Sequence, residues 1–322
     1  KLDILLNNIF GVDLDQQSVE IARLNLLVSA LDTRMQLPDL DKNIKNGNSL
    51  ISGTDKELIK YFGKNFRGKK PLKWEEEFIR ELKEEKYEYL SLEDVENIEH
   101  KKERYHEALD ELSPLEEEER RKEFIIRFTY DSSKLSGVRV TLRQTSLILK
   151  ERIIPKGFKN LRTVTELENH EKGILMVTKY KGVLNEPFIK KLHNLLLAGV
   201  DDTIAGILRS ELKRNVKIVG TSYVPPSWEL LFKELESFFK WYRAENRKLH
   251  PLELAALIHL KFISLQPFVD GNSRLSRLLM NWVLWKKGYP PVDIPIEELE
   301  NYYNVLDKYQ IEKNEKPFVD YI

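Results

Sequence analysis

Residues 250–288 place the tightest limit on what this chain can fold into. "HPLELAALIHLKFISL", residues 250–265, is apolar on nearly every side and has Pro251 where a first helical turn accepts it. A helix without a polar face has to be surrounded by other elements. The helix is therefore expected to be buried, and because residues 123–322 read as mostly helical, the expected fold class is mainly α. "RLSRLLMNWVLWKKG", residues 274–288, reads as a second helix stopped at Gly288. Between them lies "QPFVDGNS". The free amides at the start of the second helix point at the turn Gly271–Asn272–Ser273, and such a place binds anions. Arg274 and Arg277 lie three apart on one helical face and offer forked donors suited to phosphate. Asp270 can hold a hard cation that bridges phosphates. The same letters also describe a capped turn between two core helices, with arginines in surface ion pairs. The pattern alone leaves both readings standing.

The rest of the chain has three textures. Residues 1–54 read as α/β: "NNIFGVDLD" is a short buried strand, "QQSVEIARLNLLVSAL" a helix, and "LPDLDKNIKNGNSLIS" a loop with a second short strand. Residues 55–99 form a charged helical linker, and charge dominates as far as residue 122. Residues 100–322 are mostly helical, with one exception. "NVKIVGTSYVPP", residues 215–226, alternates β-branched residues around a glycine and reads as a β-hairpin or extended flap.

Composition removes several classes of function. The 52 basic residues balance 52 acidic ones, so charge gives no case for nucleic acid or an anionic membrane as partner. Zero cysteines exclude disulfides, thiolate catalysis and cysteine-ligated zinc. No apolar run spans a membrane, and the first residues show no signal-peptide pattern. A start at Lys1 without Met points to a fragment, and a cytoplasmic location is expected. The six histidines show no metal-ligand spacing, and His250 and His259 read as structural. Trp228, Trp241, Trp282 and Trp285 read as core, and Tyr302–Tyr303 either as core or as the wall of an adenine site.

"QPFVDGNSRLSR", residues 266–277, resembles the signature of the Fic family, H-P-F-x-D/E-G-N-G/K-R-x-x-R. "AGILRSELKRNVKIVGTSYVPP" resembles that family's flap segment. "ENYYNVLDKY" is similar to its C-terminal helix, and "FTYDSSKLSGVRVTLRQTSLIL" to its N-terminal inhibitory segment. The resemblance implies a Fic helical core over about residues 100–322 and transfer of AMP from Mg-ATP to a protein hydroxyl. It implies Mg²⁺ on Asp270, phosphates held by Gly271, Asn272 and Ser273, and Arg274 and Arg277 on the β- and γ-phosphates. A target protein or partner chain would align along Ile218, Val219, Gly220 and Thr221 of the flap. A homodimer is left open.

Two departures change what the resemblance implies. The family's general base falls on Gln266, a neutral amide that cannot take a proton, and such a loss costs about 10²–10⁴-fold in rate. The inhibitory segment, Ser132 to Gly137, has Ser136 where the family places a glutamate against the second arginine. An uncharged hydroxyl there makes a weak brake or none. With base and brake both gone, the chain is expected to bind nucleotide and to transfer AMP poorly.

Residues 1–53, "PLKWEEEF" continuing them, resemble adenine-specific DNA methyltransferases of restriction-modification systems. That implies Asp13 on the ribose of S-adenosylmethionine and Asn48 beside its adenine. The Asn-Pro-Pro-Tyr that holds a flipped base and the glycine-rich segment are both missing. S-adenosylmethionine is therefore not expected as a cofactor of this chain alone. The alternative function is a non-catalytic binding or regulatory module working with DNA-modification machinery. A third reading makes this the tail of a full methyltransferase.

Overall fold

Caps written into the sequence start most of the helices. The computed structural model describes residues 11–13, 44–46 and 88–322, and the chain divides into two units, Lys1–Glu81 and Leu82–Ile322. In the second unit, α1 (Leu92–Asp110), α2 (Pro114–Leu135) and α3 (Leu142–Leu149) open on Ser91, Ser113 and Thr141. Each cap accepts from an amide three residues on, and the residue there reaches back with its own side chain. Asn160 and Asn185 cap α4 (Leu161–Lys179) and α5 (Glu186–Leu197), each accepting from the amide three residues on without a bond back. Then follow α6 (Trp228–Glu245), α7 (Pro251–Leu265) and α8 (Asn272–Lys286). A short 3-10 turn, Ile296–Glu298, leads into α9 (Leu299–Glu312) and α10 (Lys316–Tyr321).

The apolar helix sits where its composition demands. α7 packs against α8 and is covered by α6, α9 and α10. Ala255, Ala256, Ile258, Leu260 and Phe262 are fully buried along it. Burying one such large side chain contributes roughly 1.5–3 kcal/mol, so α7 and α8 together dominate the core. His250 caps α7: its Nδ1 accepts from Leu252 N at 3.2 Å, and buried Glu253 accepts from His250 N at 3.1 Å. Glu253 also accepts from the amides of Tyr89 and Leu90, at 2.7 and 2.9 Å, which ties the start of α1 to the core. His259 is fully buried, with Nε2 2.9 Å from Tyr302 Oη. Both histidines are structural, as expected. A second, smaller core joins α2, α3 and α4 through Ile126, Ile148, Leu149 and Leu167.

The expected β-hairpin does not form. Residues 215–226 carry no strand and turn at Val219–Gly220, where Gly220 has φ +90°. Pro225 and Pro226 have no amide to donate to a ladder. The segment is held instead by side chains: Trp228 N donates to Asn215 Oδ1 at 2.8 Å, and Tyr223 N to Thr221 Oγ1 at 3.2 Å.

In the first unit β1 (Gly11–Asp13) and β2 (Ile44–Asn46) pair in parallel, with Asp13 opposite Asn46. Parallel pairing is what a βαβ crossover produces. The helix expected over 16–31, the candidate Asn48 and residues 55–87 of the charged stretch lie outside the described residues. No helix among the described residues is long and apolar enough to cross a membrane.

Candidate functional site

The site is built on the junction between α7 and α8. α7 stops because Pro267 follows Gln266, and a residue before proline is pushed out of the α region. Gln266 takes the left-handed conformation, φ +47°, which costs an L-residue about 1–2 kcal/mol. Arg209 holds it there. This arginine is fully buried, and its Nε donates to Gln266 O at 2.6 Å. Its Nη2 donates to Leu265 O at 3.2 Å and to Pro226 O at 2.5 Å. One guanidinium thus joins the flap to the C-terminus of α7, whose carbonyls supply the partial negative charge that a buried cation without a carboxylate needs. Desolvation lowers the pKa of Arg209.

The loop from Pro267 to Gly271 is fixed from both sides. Asn272 Oδ1 accepts from Phe268 N at 3.0 Å, and its Nδ2 donates to Phe268 O at 2.8 Å and to Gln266 Oε1 at 2.8 Å. Gln266 Nε2 donates to Ile263 O at 2.8 Å, so both ends of the Gln266 amide are engaged. Behind the loop lies His193 of α5, fully buried and stacked flat on Phe268 with 3.7 Å between ring centres. Gly206 N donates to its Nδ1 at 2.9 Å. Its Nε2 must therefore carry the proton, and it donates to Asp270 O at 3.0 Å. Desolvation holds the imidazole neutral and lowers its pKa to about 4. Gly271 has φ +78°, and a Cβ there would meet Leu197 at 3.0 Å and the His193 ring at 3.3 Å, so only glycine fits.

Arg274 is 4% exposed, and its Nε and Nη1 have no hydrogen-bond partner. The nearest carboxylates, Glu166 and Asp270, stand 3.9 Å away. Buried guanidinium donors left open beside a helix N-terminus suit an anion. Arg277, one turn on, is 1% exposed. Its Nε donates to Ser132 Oγ at 2.9 Å, and its Nη2 to Ser132 O at 2.6 Å and Ser136 Oγ at 2.8 Å. Desolvation lowers its pKa.

These groups border a cavity of about 450 Å³ lined by Gln266, Asp270, Gly271, Asn272, Ser273 and Arg274 from the junction, by Lys134, Ser136 and Gly137 from α2 and its end, and by Leu299 and Tyr303 from α9. The tyrosine pair splits: Tyr302 is core and Tyr303 lines the cavity. Arg277 is not among the lining residues; it lies behind Ser136. Asp270 presents an exposed carboxylate whose Oδ1 accepts from Gly271 N at 2.6 Å. No cluster of three metal-ligating side chains exists among the described residues. This set fits a magnesium ion held by one carboxylate, with phosphate oxygens and water completing it, and does not fit an all-protein metal cage. In the flap, Ile218 and Thr221 are half-buried, Val219 and Gly220 exposed, and Thr221 Oγ1 donates to Asp307 Oδ1 at 2.7 Å. Sequence reasoning missed Arg209, His193 and Lys134. None belongs to a pattern whose spacing marks it.

Two family profiles match this chain: the Fic/DOC family over residues 183–284 and the Eco57I restriction-modification methylase over residues 7–123. The proteins named protein adenylyltransferase Fic from Drosophila sechellia and Drosophila melanogaster are each 35% identical over 213 residues, which is 63% of this chain. The chain spans 40% of the length of those relatives. Among solved structures, a Fic domain containing signaling protein from Bacteroides thetaiotaomicron is 30% identical, with a TM-score of 0.62 over 69% of this chain and 90% of that one. Fic-1 from C. elegans is 26% identical, with a TM-score of 0.56 over 70% of this chain and 68% of that one.

Proposed function

The chain belongs to the Fic/DOC family, and from that premise we propose that its cavity takes Mg-ATP while its transfer of AMP to protein hydroxyls is impaired. The carrying observation is the state of Gln266. In AMP transfer the hydroxyl oxygen of a target bonds to the α-phosphorus, the bond to the bridging oxygen breaks, and pyrophosphate leaves. The hydroxyl proton must go somewhere. Gln266 offers an amide whose oxygen already accepts from Asn272 and whose nitrogen already donates to Ile263. The nearby imidazole, His193, has both ring nitrogens engaged and faces away behind Phe268. Nucleotide binding rests on other groups. The α8 amides and the open donors of Arg274 would take phosphates, Asn272 fixes the loop, and Asp270 would hold a magnesium ion, which would neutralise phosphate charge. Leu299 and Tyr303 of α9 add apolar surface to the cavity lining.

The test is labelled AMP transfer from Mg-ATP, comparing the chain with Gln266→His, together with calorimetric titration of Mg-ATP into each. Labelling of the chain or a partner by the His variant alone, with binding by both, supports the reading. Binding by neither sinks it.

A second reading draws on the methylase match over residues 7–123. That match runs through α1 into α2, into the helical unit itself. In this reading the helical unit is a non-catalytic module that works with DNA-modification machinery. It predicts no AMP transfer by either protein and co-purification with a methyltransferase subunit.

A further inference from the structure

Arg277 does not reach the cavity that would hold the phosphates. Its Nε and Nη2 are turned onto Ser132 and Ser136, and the hydroxyl of Ser136 stands between it and the cavity wall. A phosphate chain laid from the α8 N-terminus past Arg274 therefore meets the last turn of α2 instead. At a helix C-terminus this should be a poor place for an anion, because unpaired carbonyls carry partial negative charge. Here they are already satisfied. Ser132 O accepts from Arg277 and from Ser136 Oγ. Ser133 O accepts from the amides of Ser136 and Val138, and Lys134 O from Gly137 N. Leu135 O accepts from Tyr303 Oη at 3.2 Å. The charge that remains at this end of the cavity belongs to Lys134. Its side chain is half-buried and lines the cavity, and its ammonium makes no hydrogen bond or ion pair with a described residue.

Resting on the nucleotide reading above, we infer that Lys134 takes the terminal phosphate of a nucleoside triphosphate, the place that Arg277 cannot fill while α2 covers it. Lys134 is a compact cation on a flexible stem and needs no fixed geometry to meet a phosphate. The cavity then has Arg274 and the α8 amides for the inner phosphates and Lys134 for the outer one. The consequence is selectivity for a triphosphate over a diphosphate, set by a residue of α2 and not by the second arginine of α8. A lysine in the last turn of a helix also balances the helix dipole. That role alone would leave the choice between ligands unchanged.

The test is calorimetric titration of Mg-ATP and Mg-ADP into the chain, Lys134→Met and Lys134→Arg. Met keeps the length of the stem, and circular dichroism checks that the variant keeps its helices. The expected result is a loss of ATP affinity of about tenfold in Lys134→Met, the equivalent of one charge-assisted bond. ADP affinity should stay within about twofold of the parent, and Lys134→Arg should keep the preference for ATP. If ATP and ADP weaken together in Lys134→Met, or neither changes, Lys134 does not meet the terminal phosphate and the inference is overturned. If the parent chain binds neither nucleotide, the nucleotide reading fails and takes this inference with it.

Discussion

His193→Gln tests whether a buried neutral imidazole holds the loop between α7 and α8. The ring is fully buried, and desolvation lowers its pKa from 6.5 to about 4. In the unfolded chain it titrates near its ordinary value, so on acidification the unfolded state binds the proton first. The stability it contributes is present above about pH 6.5 and is lost as pH falls toward 4. Linkage over that gap gives a loss of about 2 kcal/mol between pH 7 and pH 5 from this residue alone. His170 and His259 are also buried with lowered pKa values and push the same way, but they are present in both proteins and cancel in the comparison. Gln cannot titrate. It gives up the stacking on Phe268 and at least one of the two ring hydrogen bonds, so the variant should be less stable at pH 7 by roughly 1–3 kcal/mol. Its further loss at pH 5 should be smaller than that of the parent by about 2 kcal/mol. Urea unfolding followed by tryptophan fluorescence measures both, since Trp228, Trp241, Trp282 and Trp285 all lie in the helical unit. An equal loss in the two proteins between pH 7 and pH 5 refutes the argument, because it would mean the ring is not held neutral by the fold.

Three further outcomes follow from the same geometry. Arg209→Met strands the carbonyls of Pro226, Leu265 and Gln266 and should lower stability by about 3 kcal/mol in urea unfolding; Arg209→Lys should not restore it, because one ammonium cannot span the fork. Asp293 has a buried Oδ1 without a partner, and burial followed by the nearby Asp131 carboxylate pushes its pKa up to about 7. The folded state therefore holds that proton more tightly than the unfolded one, stability falls as pH rises from about 4 to about 7, and Asp293→Asn should flatten this part of a Tm-against-pH profile. Ser136→Glu places a carboxylate beside Arg277 at the cavity rim, where it repels phosphate, and Mg-ATP affinity measured by calorimetry should fall by about tenfold or more.

The parts of this fold that the sequence made legible are those governed by short-range rules. Pro251, the Gly271 turn and Gly288 mark the ends of α7 and α8 within a residue or two, because capping and backbone freedom act over a single turn. The apolar surface of α7 announced its central place, because nothing but burial satisfies such a helix. The hairpin expected at 215–226 was a misreading of a real alternation. Ladder pairing depends on a facing strand, and here Arg209 and Asp307 hold the segment from other parts of the chain, while its own Asn215 accepts from Trp228 N just beyond its end. Arg209 lies more than fifty positions from the carbonyls of α7 that it satisfies, and His193 is 77 positions from Asp270. No local pattern reports such a contact. The resemblance named loop residues that line the cavity, yet only the packing of α2 shows that Arg277 faces Ser132 and Ser136 rather than the cavity.

The backbone at Gln266 carries an argument of its own. A left-handed residue before proline is strained, and such strain persists only where the surroundings enforce it. Arg209 enforces it here with bonds to Leu265 O and Gln266 O. If position 266 served only to present a base, a chain without that base would gain about 1–2 kcal/mol by relaxing it. The strain is kept, and what it achieves is visible: the Gln266 side chain folds back so that Oε1 meets Asn272 Nδ2. Asn272 in turn closes the loop through both backbone groups of Phe268. Gln266 therefore braces the Gly271–Ser273 turn, with both ends of its amide engaged. It follows that Gln266→Ala, which removes no base, should still weaken Mg-ATP binding, by about threefold to tenfold for one lost side-chain bond at the loop. Unchanged affinity in that variant would show that the turn holds its shape without Gln266, and the retained strain would then need another explanation.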